Sequence, residues 1–187
     1  QMNATAKLQG ISLQHIMGTD HMGRDVFSRV LYGSRVTLVI AAGTVLIGAG
    51  IGTLLGALTG YFGGIFDEIM MRIIDALFAF PSVLLALVFV SLFHSGTYEV
   101  MIALGIAFIP SFARIVRSEF LRYRSMDYVE SARIQGASDL RIIFEHIMPN
   151  VRGILLSSVL IGFNNAVLAE AGLSYLGIGS QPPYASL

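Results

Sequence analysis

The chain has 187 residues, 55% hydrophobic and 13% charged, and its 12 basic and 12 acidic side chains cancel. Soluble domains carry about 25% charged residues, so a water-soluble monomer is excluded, and a zero net charge gives no footprint for nucleic acid. Cysteine is absent, which removes disulfides, thiolate metal sites and cysteine nucleophiles.

The charges are unevenly spread. None falls between Arg35 and Asp67 or between Asp75 and Glu99, and uncharged apolar stretches of about 20 residues match a bilayer core of ~30 Å. The expected fold is all-α, a polytopic transmembrane helical bundle. Residues 1–35 lack the apolar core of a signal peptide and read as an extracytoplasmic segment. Within it, Arg24–Leu38 sets Val26, Phe27, Val30 and Leu31 on one face and Arg24, Ser28, Arg29 and Arg35 elsewhere. That is the pattern of a helix lying in the membrane interface.

Residues 36–187 read as the membrane domain, with spans at about 36–61, 76–93, 100–113 and 153–169. Pro81 and Pro110 fall inside the second and third. Such prolines are tolerated where neighbouring helices satisfy the freed carbonyls. In the first span Gly48, Gly52, Gly56 and Gly60 recur every fourth residue, after Thr44. Residues four apart share a helix face, so this face is a groove along which a second helix can approach closely. Glycine is common in membrane helices anyway, but four in register favour a packing seam.

Arg114–Arg152 is the longest polar stretch and holds Arg114, Arg117, Arg122, Arg124, Arg133, Arg141 and Arg152. The positive-inside rule places it in the cytoplasm. Alternation then puts His94–Glu99 outside, Gly63–Asp75 inside and the segment before Val36 outside. Arg24, Arg29 and Arg35 run against the rule locally, so a preceding span is expected. Opening at Gln1 and ending after Gln181-Pro182-Pro183, the sequence reads as a piece of a longer chain.

Asp127-x-x-Glu130 has the shape of a capping box, opening a helix over Tyr128–Gln135 that meets Gly136 at a C′ position. Ser138 is placed to cap a second helix, Asp139–Ile147, and Pro149 suits the first turn of the fourth span. A structureless loop of this length is unusual. The stretch reads as a helix–turn–helix with Ile134, Leu140, Ile143 and Phe144 as an apolar docking strip; a solvated charged loop is the plainer alternative.

Catalytic patterns are missing. His15, His21, His94 and His146 are dispersed without ligand spacing, and the only lysine, Lys7, follows no glycine-rich phosphate loop. Ser157 and Ser158 have no histidine in their span, which disfavours an intramembrane hydrolase. A secondary transporter or channel calls for titratable groups within spans, and the four spans as drawn hold none. Asn164 and Asn165, mid-span in the fourth, are either pore-lining or an interhelical hydrogen bond worth about 0.6 kcal/mol. Glu170 follows at the outer end, as a contact for a binding protein or a marker of the interface.

Glu130-Ser131-Ala132-x3-Gly136-x12-Pro149 resembles the EAA motif of binding-protein-dependent ABC importer permeases, E-A-A-x3-G-x9-I-x-L-P. Ser131 stands at the motif's second position, normally alanine, His146 replaces the isoleucine and Met148 the leucine. Two further stretches resemble the dipeptide/oligopeptide/nickel branch of that family. One is Gly18-Thr19-Asp20-x2-Gly23-Arg24-Asp25-Val26-x-Ser28-Arg29-x3-Gly33-x-Arg35. The other is Ala169-Glu170-Ala171-x-Leu173-Ser174-x-Leu176-Gly177-x-Gly179-x-Gln181-Pro182-Pro183. The order of the motifs is similar to that of the second, "C"-type subunit.

The resemblance implies a type I permease fold, with the family's first and last spans outside this chain, in a bacterial inner (plasma) membrane. It implies an ATPase-coupling helix carried by Glu130, Ser131, Ala132, Gly136, Ala137, Asp139, Leu140 and Pro149. It also implies a homologous second permease, two ABC ATPase subunits and an extracytoplasmic solute-binding protein as partners. ATP and Mg would be bound by the ATPases, with no cofactor and no catalysis on this chain. The cargo is expected to be a peptide, with nickel and metal chelates as alternatives on the same scaffold.

Overall fold

Without water to satisfy its backbone, an apolar run folds into helix. The computed structural model describes residues 7–12, 15–93 and 96–177. Its helices are α1 Val26–Phe62, α2 Gly64–Phe78, α3 Ser82–Phe93, α4 Thr97–Tyr123, α5 Asp127–Ile134, α6 Asp139–Arg141 and α7 Met148–Tyr175. A π-helical stretch, Ile142–Ile147, joins α6 to α7, giving one rod over Asp139–Tyr175. By length and apolarity α1, α4 and this rod can each cross a membrane, and α2 with α3 can form a fourth, broken span.

Several boundaries differ from those expected. Asp25 caps α1 by accepting from Ser28 N at 2.9 Å, so Arg24–Leu38 is no separate interfacial helix; from Val26 on it is the start of α1. The 37 residues of α1 reach ~55 Å at 1.5 Å per residue, well beyond a bilayer core. Gly63–Asp75 is helix, not loop, because Gly63 and Gly64, at φ of +67° and +63°, let α1 end and α2 begin at once. The expected second span is bent by 91° between α2 and α3. Pro81 lacks an N–H and disfavours helix at the residue before it, and Phe80 and Pro81 fall in the break.

The third span runs on past Ala113 to Tyr123, with Pro110 buried inside it. Arg114, Arg117 and Arg122 are therefore on α4, and the polar connection starts only at Arg124. The fourth span is extended at both ends and takes in Glu170. The described spans thus contain a titratable group after all. Glu170 is fully buried and neither carboxylate oxygen has a hydrogen-bond partner, so it is not an outward-facing contact. His94 and Gly179-x-Gln181-Pro182-Pro183 lie outside the described residues.

α4 lies along the glycine face of α1. A methyl built on Gly48 would come within 3.0 Å of Phe108 Cβ, on Gly52 within 2.6 Å of Phe112 Cβ, and on Gly60 within 2.6 Å of Phe120 Cβ. Gly56 faces the backbone carbonyl of Ala113. Without side chains at these four positions the helices approach closely enough for dispersion along the whole seam. One apolar cluster gathers Ile40, Val45, Leu104, Phe108, Phe112 and Leu173. A second, at the arginine-rich end, gathers Tyr61, Val116, Phe120, Val129, Ile142 and Ile147.

Candidate functional site

The second cluster carries α5 on its surface. Val129 and Ala132 are buried, whereas Glu130, Ser131 and Arg133 face outward. The helix starts at the carbonyl of Met126, which accepts from Val129 N and Glu130 N. The N-cap is Met126, without a side-chain bond. The expected capping box does not form, because Asp127 lies inside the first turn rather than before it. There Asp127 and Glu130 oppose the positive helix end instead.

The far end of α5 is closed by backbone geometry. Gly136 has a φ of +84°; its N–H bonds Arg133 O at 3.0 Å and Ala137 N bonds Ala132 O at 3.0 Å. These paired bonds are a Schellman closure, in a conformation costly for any residue with a Cβ. Ser138 then caps the next helix, accepting from Arg141 N at 3.4 Å. Asp139 is tied to the end of α1, where Tyr61 Oη donates to Asp139 Oδ1 at 2.6 Å. Asn150 Nδ2 donates to Tyr128 Oη at 3.2 Å and to His146 O at 2.7 Å, joining α5 to the rod. Pro149, which has no N–H to give, sits in the first turn of α7, with only Met148 between it and the π-helical stretch.

The result is a short helix held at both ends against a rigid support. Ile134, Leu140 and Phe144 are 81%, 66% and 61% exposed, beside Arg133 and Arg141. Ile143, expected in the same strip, is instead buried in the second cluster. A concavity of about 480 Å³ opens between α5 and the rod, walled by Tyr128, Ser131, Gln135, Arg141 and His146. Exposed apolar side chains rimmed by charge around a concavity form a surface suited to another protein.

Contacts absent from the sequence reading anchor this end. Arg117 forks onto Asp67, with Nη2 at 2.6 Å from Oδ2, and Arg114 pairs with Asp75 while lying 4.2 Å from the centre of the Phe78 ring. Both join α2 to α4. Arg124 Nη1 donates to Gly60 O and Tyr61 O at 3.2 Å each, satisfying the carbonyl end of α1. The available signal was charge spacing: two aspartates on one amphipathic stretch and two arginines three residues apart.

At the opposite end of α1, the Asp20 carboxylate accepts from Met22 N at 2.8 Å, Arg24 N at 2.9 Å, Arg24 Nε at 3.0 Å and Arg29 Nη1 at 2.8 Å. The backbone bond from Arg24 is the foremost of the contacts that hold its pKa far below the ordinary 3.8. His15 Nδ1 lies 3.1 Å from Asp25 Oδ1. The Gly18–Arg29 motif therefore encodes a folded knob around the start of α1.

Asn164 and Asn165 are both exposed. They diverge, as adjacent helical residues must: Asn165 lines a cavity between α3, α4 and α7, and Asn164 does not. No group of three or more His, Asp or Glu is placed to hold a metal among the described residues.

The sequence pattern of the family described as binding-protein-dependent transport system inner membrane component matches residues 52–187. The chain is 45% identical over 179 residues to a glutathione transport system permease protein of Pectobacterium atrosepticum, covering 94% of this chain and 58% of that one. It is 46% identical over 187 residues to a Brucella suis protein described as a peptide transport system permease, covering 98% and 63%. The chain thus spans less than two thirds of the length of these relatives. Its fold is similar to a chain of the inward-facing MetNI methionine ABC transporter, with a TM-score of 0.73 at 19% identity over 82% of this chain and 77% of that one.

Proposed function

Because this chain belongs to the family of binding-protein-dependent transport system inner membrane components, we propose that it forms half of the membrane pathway of an ATP-driven importer. It is a multi-pass inner-membrane protein. A homologous permease completes the pathway, an extracytoplasmic binding protein delivers cargo, and two ATPase subunits bind ATP and Mg. This chain binds neither and catalyses nothing itself. The names of its relatives favour a peptide cargo over nickel or a metal chelate.

The observation that carries the reading is the α5 hairpin. Its Schellman closure at Gly136, the Ser138 cap and the Tyr61–Asp139 bond make it stiff, while Ile134, Leu140 and Phe144 leave it an apolar contact face. A lever of this kind passes a rigid-body movement of an ATPase into α4 and the rod, because both pack on the same cluster beneath it. Glu130 and Ser131 face the ATPase, Ala132 and Ala137 seat the lever, and Pro149 lies where the rod leaves it.

The test is ATP hydrolysis by the assembled importer, stimulated by loaded binding protein. Gly136→Val is expected to abolish most of the stimulation while the chain stays in the membrane and assembled. Unchanged stimulation overturns the assignment. So does uptake that survives ATP depletion and collapses with the proton gradient, the outcome a secondary transporter using the buried Glu170 would give.

A further inference from the structure

The cavity between α3, α4 and α7 has a volume of about 330 Å³. Ser82, Ser111 and Asn165 bring polar side chains to it from three different helices, and Phe108 and Leu168 supply apolar wall. Ser111 lies near the middle of α4, and Ser82 opens α3 just after the break at Pro81. A bilayer makes unpartnered polar groups costly unless they meet a partner or a water-filled path.

These three are unpartnered. Several other helical hydroxyls satisfy themselves on their own backbone, Ser91 on Val88 O at 2.7 Å, Ser118 on Ile115 O at 2.8 Å and Ser158 on Ile154 O at 2.8 Å, while the hydroxyls of Thr37 and Thr53 on α1 are unpartnered but buried away from the wall of this cavity. The side chains of Ser82, Ser111 and Asn165 make no hydrogen bond among the described residues. The first-turn amides of α3 add donors without intrahelical acceptors, and both Ser82 and Val83 reach the wall.

The chemistry of the wall selects its ligand. Serine hydroxyls and a carboxamide both donate and accept, so they match a neutral group that does the same. No charged side chain lines the cavity; Glu170, next to the wall residue Ala169, is buried inside the bundle. A metal ion or a charged terminus finds no counter-charge there. The volume is at the small end of the ~300–1,000 Å³ of ligand pockets and fits a short stretch of chain.

We propose that this cavity is a backbone-reading subsite, at which Ser82, Ser111 and Asn165 hydrogen-bond the amide groups of a peptide in transit. The proposal rests on the permease reading and extends it to how cargo is held. Such a subsite tolerates different side chains, because its contacts are to the part common to all peptides.

These 187 residues hold no cysteine, so a thiol introduced at one position is the only one among them. In the complete importer in liposomes, Ser111→Cys and Asn165→Cys are expected to react with a water-soluble thiol reagent. Trialanine, with binding protein and ATP present, should slow that reaction by about twofold at half-occupancy of the cavity and by more as occupancy rises. Asn164→Cys, on the same helix but off the wall, should show no protection. Ser111→Ala and Asn165→Ala should each slow trialanine uptake by roughly two- to tenfold, the worth of a neutral hydrogen bond.

Wild-type uptake of trialanine with no protection at either cysteine, or with the alanine variants at full rate, overturns the subsite and leaves the permease reading standing. No ATP-driven uptake of trialanine by the wild type overturns the peptide reading, and the subsite with it.

Discussion

Arg117 holds Asp67 with both arms of its guanidinium, Nε on Oδ1 and Nη2 on Oδ2, and so fastens the broken α2–α3 span to the arginine-rich end of α4. The Asp67 side chain is 13% exposed, and a forked charge-assisted pair in that setting is stronger than an open surface pair. Asp67→Asn is expected to cost roughly 1.5–3 kcal/mol, read as a lower thermal midpoint of the purified chain in lipid nanodiscs. Glu68→Gln, which removes an exposed pair at 3.8 Å, should change stability by less than about 1 kcal/mol. Equal effects would show that the fork contributes nothing special.

The glycine face predicts its own contrast. A Cβ at Gly52 would lie 2.6 Å from Phe112 Cβ and 2.8 Å from Ile109 O, whereas at Gly50 it would meet nothing within 4 Å. Gly52→Ala should therefore destabilise by about 1–3 kcal/mol through overpacking. Gly50→Ala should be neutral or slightly stabilising, since alanine favours helix over glycine. The measurement is unfolding by denaturant in mixed micelles.

Gly136 has open space around it but a left-handed backbone. Its requirement is conformational rather than steric, so asparagine, which tolerates that region, should preserve more coupling than alanine, and alanine more than valine. The rate of ATP hydrolysis at saturating loaded binding protein ranks the three. A ranking by side-chain volume alone, with asparagine worse than alanine, would contradict this account of the turn.

Asp20 sets a pH dependence for the knob. Its folded pKa lies well below the ordinary 3.8, and Asp25 is lowered too, first by its hydrogen bonds from Ser28. A lowered carboxylate stabilises fully above the ordinary value and loses that contribution only as pH falls through the folded one. Residues 15–29 should thus keep their protease protection from neutral pH down to about pH 4 and lose it only in stronger acid. Asp20→Asn should lose it at neutral pH.

Much of this was legible in the sequence. The uncharged runs announced helices, the four-residue glycine repeat announced a face for close packing, and Gly136 with Ser138 announced a turn between two helices. What misled was reading each charge as a place where helix gives way to loop. Arg114 and Arg117 stay on α4 because Asp75 and Asp67 neutralise them, a pairing between segments far apart in the chain. The two prolines looked equivalent but differ: α4 continues as one helix through the buried Pro110 along its seam with α1, whereas Pro81 separates a charged helix tied to α4 by ion pairs from an apolar one packed in the first cluster. Ile143 was misassigned because the π-helical stretch shifts which side chains face inward. Of the polar cavity only Asn165 was legible, since Ser82 and Ser111 join it only in three dimensions.

The central claim is that the α5 hairpin is gripped by an ATPase subunit. A photoactivatable benzoylphenylalanine in place of Ile134, in the intact and transporting importer, tests it most directly. The account predicts a crosslink to the ATPase, both with and without ATP. Crosslinks to lipid or to the extracytoplasmic binding protein, from a complex that still transports, would contradict it.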